Sequence, residues 1–166
     1  MGFVKAAVVG VSVVGLGLGI GASEAGAATG IEHFTVINTS TASTNISPPS
    51  WLSASGPIHR LGIDLPLTQS SDGKSGTDRF AFHNGSIIIS HKSLHQSQTQ
   101  DGPGCLFTFT QSGTYTVTSG TGAYAGAKGS GTFVVTFEGI GCPSSDPNAP
   151  ALVASQTIKA SGPLSF

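Results

Sequence analysis

Four acidic side chains are the residues of this sequence best suited to acid–base chemistry. Glu32, Asp64, Asp78 and Glu138 lie on or beside predicted strands, whereas the other acids of the mature chain look like turn residues. Two carboxylates that meet in a fold can act as general acid and general base. A carboxylate on a strand more often points to solvent, so we expect each of the four on an outer face or at a strand end.

Histidines offer a second kind of chemistry. His91 and His95 have the i, i+4 spacing of a metal-binding pair, but that spacing brings two side chains together only on a helix. Here the sequence predicts a strand up to His91 and a loop around His95. We therefore expect solvent-exposed loop histidines, with no metal site and no cofactor. The Gly-x-Ser-x-Gly elbow of common hydrolases is not in the sequence.

A glycine-rich stretch at residues 120–131 resembles a phosphate-binding loop only superficially. Lys128 follows Ala127, which breaks the Walker pattern, and the stretch leads into a predicted strand, whereas a dinucleotide fingerprint opens a helix. It predicts instead a compact loop with positive-φ or closely packed glycines, in which Tyr124 lies against one end of the fold with its hydroxyl paired. The residues of this structural motif are Gly120, Gly122, Tyr124, Gly126 and Gly129.

Short alternating runs separated by Gly, Pro, Asn and Asp clusters predict an all-β domain of about eight strands. Asn84-Gly85, between two apolar runs, predicts a hairpin with a type I′ turn. Gln111-Ser112-Gly113 predicts a second hairpin. Local hairpins without a long linker favour an antiparallel meander that closes on itself into an eight-stranded β-barrel, since closure removes exposed edges.

Charged residues are 9% of the 166 residues and the net charge is −1, so the sequence has no basic excess for nucleic acid. Lys5, the apolar run 6–22 and Ala25-Gly26-Ala27 are typical of a secretory signal peptide over residues 1–27. A membrane anchor is the alternative interpretation of that run. With cleavage, residues 28–166 form one secreted domain without a stable membrane span.

The two cysteines of the mature chain, Cys105 and Cys142, are expected to form one disulfide in an oxidising compartment. The aromatic residues on predicted strands either fill the barrel core or line an apolar ligand cavity, and the sequence does not separate the two. These candidates for a cavity lining are Phe34, Phe80, Phe82, Phe107, Phe109, Tyr115, Phe133 and Phe137.

The stretch Ser119-Gly120-Thr121-Gly122-Ala123-Tyr124-Ala125-Gly126-Ala127-Lys128-Gly129, followed by a strand, resembles the signature of the allene oxide cyclase-like and dirigent-like β-barrels. The likeness is strongest over residues 105–138, and the end of the chain resembles small secreted bacterial members of this group. The resemblance implies an eight-stranded barrel with an apolar interior. Some relatives are cyclases that carry acidic residues near the first strand, which makes Glu32 a candidate catalytic residue.

Three functions follow as hypotheses. A secreted barrel that binds a small apolar molecule predicts a cavity lined only by Phe, Ile, Val and Thr. A cyclase or isomerase predicts a buried carboxylate with a shifted pKa facing an open pocket. A filled barrel would act through its outer surface, by self-association or by binding a partner. The sequence leaves the oligomeric state open.

Overall fold

Eight β-strands make up the fold in the computed structural model, which describes residues 27–41, 50–101, 105–141 and 153–166. The predicted signal peptide lies outside these ranges except for Ala27. Within them, no helix is long and apolar enough to cross a membrane. The strands are β1 (Thr29–Thr41), β2 (Ser50–Ser55), β3 (Arg60–Gln69), β4 (Ser75–Phe82), β5 (Gly85–Asp101), β6 (Leu106–Gly122), β7 (Lys128–Ile140) and β8 (Val153–Ser165).

Each strand pairs antiparallel with the next, and β8 returns to pair with β1. This closing ladder runs from the Thr29–Ser165 pair to the Thr41–Val153 pair. Every strand therefore has a partner on both sides along at least part of its length, so no strand is the edge of an open sheet. The predicted fold class, an all-β closed antiparallel eight-stranded barrel, is confirmed.

Alternation along the strands puts apolar side chains inside the barrel. Phe34 is at its centre, edge-on to the rings of Phe80 (centroids 5.1 Å apart) and Tyr115 (6.2 Å). Such buried rings contribute both apolar area and favourable edge-to-face contacts. The other buried core residues include Val36, Leu52, Ala54, Ile58, Phe82, Ile87, Ile89, Val117, Tyr124, Ala127, Phe133, Val135 and Leu164.

The connection between β6 and β7 folds over one end of the barrel. The ring of Tyr124 is buried there, edge-on to Phe82 (5.3 Å) and Phe166 (5.2 Å), and its hydroxyl donates a 2.6 Å hydrogen bond to Oδ1 of Asn84. We call this end the closed end. Its aromatic cluster excludes water from that side of the core.

Glycines make the tight connection to Tyr124 feasible. Gly122 and Gly126 have φ angles of +60° and +81°, which L side chains rarely adopt. A Cβ on Gly120 would lie 1.9 Å from the carbonyl oxygen of Tyr124. The glycine spacing seen in the sequence thus corresponds to backbone that other residues could not follow.

The opposite end, here called the mouth, is formed by strands of unequal length. β2, β3 and β4 have 6, 10 and 8 residues, whereas β1 and β5 to β8 have 13 to 17. Beyond the bulge at Ser93–His95, the β5–β6 ladder continues to the Asp101–Leu106 pair. The wall of the mouth is therefore taller on the β5–β8 side.

The two hairpin predictions had different outcomes. The hairpin at Asn84–Gly85 is confirmed, since it joins β4 to β5, but Asn84 has no positive φ and the turn is not type I′. The prediction of a hairpin at Gln111–Gly113 is wrong, because β6 runs straight through these residues. Gly113 instead permits close packing of strands: a Cβ there would lie 2.1 Å from the carbonyl oxygen of Lys92.

The chain around Cys105 is close to the end of β7. The N–H of Gly141 donates a 2.8 Å hydrogen bond to the carbonyl oxygen of Cys105. Cys142 follows Gly141 directly but lies outside the described residues. The Cys105–Cys142 disulfide therefore stays a prediction, and the closeness of Gly141 is compatible with it.

We expect the secreted chain to weigh two hydrogens less than residues 28–166 with reduced cysteines, because both thiols are oxidised. Replacing both cysteines by Ser should lower the free energy of unfolding by about 4 kcal/mol, the chain-entropy value for a loop of roughly this length. Intact mass and urea unfolding measure the two effects. A full-mass chain with two alkylatable thiols would contradict the disulfide.

Candidate functional site

A cavity of about 230 Å³ opens inside the barrel at the mouth. Its apolar wall is built from inward residues of β4, β5, β7 and β8, and its polar wall from carboxylates, amides and one imidazole. This mixture is typical of a small-molecule site, in which few polar groups orient a ligand. The lining residues are Asn38, Ser50, Asp64, Pro66, Gln69, Gly73, Asp78, Phe80, Ile89, His91, Gln111, Tyr115, Phe133, Val135, Gln156, Ile158 and Ala160.

Two carboxylates enter this cavity from neighbouring strands. Asp64 on β3 pairs with Phe80 on β4, and Pro66 pairs with Asp78, so the two aspartates are diagonal neighbours on the inner face. Asp64 is only 6% exposed. Its Oδ1 atom has no hydrogen-bond partner among the described residues.

Asp78 in turn contacts a histidine on β5. Nε2 of His91 lies 3.2 Å from Oδ2 of Asp78, and the imidazole is edge-on to the ring of Phe133 at 5.9 Å. The imidazole lies over Gly76, where a Cβ would be 2.8 Å from Nε2. A glycine at this point of β4 therefore gives His91 the space to reach Asp78.

The surroundings favour a protonated Asp64. Burial raises the pKa of Asp64 to about 7, and the negative charge of Asp78 adds to the rise. Burial also raises the pKa of Asp78, but the charge of a protonated His91 opposes that rise. Both carboxyl groups are thus weaker acids than usual; Asp64 has the more strongly raised pKa, and Asp78 has His91 as a partner for its negative charge.

Tyr115 on β6 also lines the cavity. Burial raises its pKa to about 12, with a smaller contribution from the charge of Glu32, so the phenol stays protonated across the physiological range. Its ring is 4% exposed and packs against Phe34. The hydroxyl can therefore donate to a ligand without losing its proton.

Amide side chains complete the polar wall. Nε2 of Gln111 donates a 3.4 Å hydrogen bond to the carbonyl oxygen of Gly73 in the β3–β4 turn, which ties this turn to β6. Oδ1 of Asn38 is buried and has no partner among the described residues, like Oδ1 of Asp64. Buried polar atoms are nearly always satisfied, so both point to a ligand or water that supplies hydrogen bonds.

Three of the eight aromatic candidates, Phe80, Tyr115 and Phe133, line the cavity. Phe34 is core beneath it, and Phe82 packs at the closed end. The remaining three, Phe107, Phe109 and Phe137, are partly buried on the taller wall beyond the cavity, where Phe107 and Phe137 contact each other at 5.6 Å.

Glu32 does not line the cavity. It is fully buried near the closed end, where its Oε2 accepts a 2.6 Å hydrogen bond from the N–H of Ile58. Burial raises its pKa, although this hydrogen bond opposes the shift. Its position favours a role in holding the β2–β3 connection rather than direct contact with a ligand.

The expectation that the acids lie on outer faces or strand ends was wrong for Glu32, Asp64 and Asp78, whereas Glu138 is exposed. The expectation of solvent-exposed histidines was wrong for His91, which lines the cavity; His95 is exposed as expected, but it lies on β5 and not in a loop. No group of three or more His, Cys, Asp or Glu side chains in the described ranges could hold a metal ion.

One signal in the sequence could have located Asp78. It precedes Phe80 and Phe82 at a spacing of two, so any strand that buries both phenylalanines also turns Asp78 inward. Asp64 has no such apolar neighbours in its own strand, since position 62 is a glycine. Its orientation follows only from the pairing of β3 with β4.

Searches against protein-family models, curated proteins and solved structures find no match to this chain. The cavity and its side chains are therefore the basis for inferring a function.

Asp64 should make the stability of the protein depend on pH. Its pKa is raised from 3.8 in the unfolded chain to about 7 in the fold, so its contribution to stability is fully present below about pH 4 and is lost as pH rises from 4 to about 7. The loss is about 4 kcal/mol. Asp64→Asn should remove most of this decline in urea unfolding measured from pH 4 to 8.

The exposed Asp101→Asn is the matched control and should keep the wild-type pH dependence. Identical curves for Asp64→Asn and the wild type would contradict a protonated Asp64.

Proposed function

We propose that the barrel binds a small, partly apolar molecule in the mouth cavity and isomerises or cyclises it by proton transfer. One observation carries the proposal: Asp64 and the Asp78–His91 pair face one open cavity with an apolar wall. Of the hypotheses drawn from the sequence, the cyclase or isomerase is the one that requires a buried carboxylate of shifted pKa at a pocket. The hypothesis of pure binding expected a lining of Phe, Ile, Val and Thr alone, whereas this cavity also has carboxylates, amides and an imidazole.

In the proposed reaction, three ionisable groups of the cavity have a role. Asp64, held as an acid, donates a proton to an oxygen of the ligand, and Asp78 accepts a proton from a carbon or hydroxyl of the same molecule. His91 stabilises the charge on Asp78 before the transfer. The pKa of both carboxyl groups is raised, that of Asp64 more strongly, and titratable groups with separated pKa values are the usual basis of paired acid–base catalysis.

The apolar wall and Tyr115 limit the ligand. A cavity of about 230 Å³ is just below the range of about 300–1,000 Å³ typical of drug-sized ligands, so the molecule or its reacting part is small. The ligand should carry an oxygen that accepts hydrogen bonds from Tyr115 and Asp64. A rigid cavity then favours one conformation of the reacting molecule.

Binding without chemistry is the second candidate function. It is favoured by Asn38, which lines the cavity, has no part in the proton transfer, and has a buried Oδ1 with no partner among the described residues. Secretion and the Cys105–Cys142 disulfide are part of the proposal for either candidate function, since an extracellular barrel could act as a catalyst or as a ligand-binding protein.

Native mass spectrometry of the protein purified from its secreting host should reveal a bound small molecule. The released molecule is then returned to the protein in D₂O, and deuterium incorporation is followed by NMR. We expect exchange with the wild type and a loss of about 10²-fold or more with Asp64→Asn or Asp78→Asn, the usual contribution of a general acid or base.

Asp101→Asn again serves as the control and should exchange like the wild type. Retention of the molecule by wild type without any exchange would establish binding alone. A native ion without added mass, together with unshifted Ile89 and Ile158 methyl resonances after the host's culture extract is added, would overturn both candidates.

A further inference from the structure

Exposed apolar side chains are concentrated around the mouth of the barrel. Ile31 and Leu61 are exceptions near the closed end, and Val134 is midway along β7. The other large apolar side chains that are exposed in the described ranges have 43% to 68% of their surface accessible. We call these seven the mouth belt: Ile37, Trp51, Leu67, Leu94, Leu106, Ile140 and Val153.

The position of the belt follows from strand alternation. Ile37 precedes Asn38 and Trp51 follows Ser50, and both Asn38 and Ser50 line the cavity. Because neighbours on a strand point to opposite faces, the two apolar side chains point outward at the level of the cavity. They are also direct cross-strand partners on β1 and β2.

On the taller wall, the belt is continuous across three strands. Leu106 pairs with Ile140, and Ile140 pairs with Val153, so their side chains form one row on the outer face of β6, β7 and β8. Rows of exposed apolar side chains are uncommon on soluble proteins and mark contact surfaces.

The charges near the belt do not favour an oppositely charged partner. Lys74 and Lys92 are outnumbered by Asp72, Asp101 and Glu138 on the same half of the barrel. A partner that binds the mouth belt must therefore bind mainly through apolar contacts.

We propose that the mouth belt docks the barrel, mouth first, onto the surface of a lipid bilayer. The belt has one member on each of seven of the eight strands and so points outward in many directions around the rim. A flat partner or a second copy could cover only one side of such a rim. A fluid lipid phase, into which the rim sinks, contacts all sides at once.

Trp51 suits this position, since tryptophan favours the boundary between lipid and water. The proposal rests on exposed side chains and not on the chemistry of the cavity. Its failure would leave the proposed function standing, and the reverse also holds.

Trp51 is the only tryptophan in the chain, so its fluorescence reports docking directly. With phosphatidylcholine vesicles, the emission of the secreted chain should shift to shorter wavelength, and the chain should sediment with the vesicles. The double variant Leu106→Ser/Ile140→Ser should lower the partition coefficient about tenfold or more, because two apolar contacts are lost. Replacing a tenth or more of the lipid by phosphatidylglycerol should change binding less than about twofold.

The control is Ile31→Ser/Leu61→Ser, which removes more exposed apolar surface than the mouth variant does, but far from the mouth, and should bind like the wild type. Equal losses in both double variants, or an unchanged Trp51 emission in the wild type, would overturn the proposal. Sedimentation velocity without lipid supplies the last test. An oligomer that only the mouth variant dissociates would show that a second copy occupies the belt, and would overturn bilayer docking.

Discussion

Pairing between β1 and β8 is the constraint on which the other features depend. Once these strands join, every strand has one face inside a narrow barrel, and side chains at alternate positions must share that space. An open sheet could turn Asp64 and Asp78 toward water. Closure instead places them beside Phe80 and Phe133, where desolvation changes their acidity.

The two ends of the barrel then take different roles. At one end, Tyr124 and its aromatic neighbours exclude water and join the last residue, Phe166, to the β6–β7 connection. At the other end, unequal strands leave a mouth with one tall wall. The catalytic candidates lie between a dry base and a hydrated opening, which is where proton transfer to a bound molecule is both accessible and shielded.

Much of the fold could be predicted from local signals, but the site could not. Alternation and glycine-rich turns indicate a closed β-barrel, and the spacing of Asp78 from Phe80 already determines its face. The orientation of Asp64 depends on the register between β3 and β4, which is set by the whole barrel. Gly113 shows the same limit: a glycine that resembles a turn serves to bring two strands together.

Because the barrel is closed at one end only, its interior is not uniform in polarity. Within the described residues, an aromatic cluster fills the closed end and the cavity lies at the mouth, so polarity declines along the barrel axis from rim to base. Three inward carboxylates sample this gradient at different depths: Asp78, Asp64 and the fully buried Glu32. Burial raises the pKa of each of these carboxyl groups, and the partner met at each depth, the N–H of Ile58 for Glu32 and the imidazole of His91 for Asp78, decides how much of that rise remains.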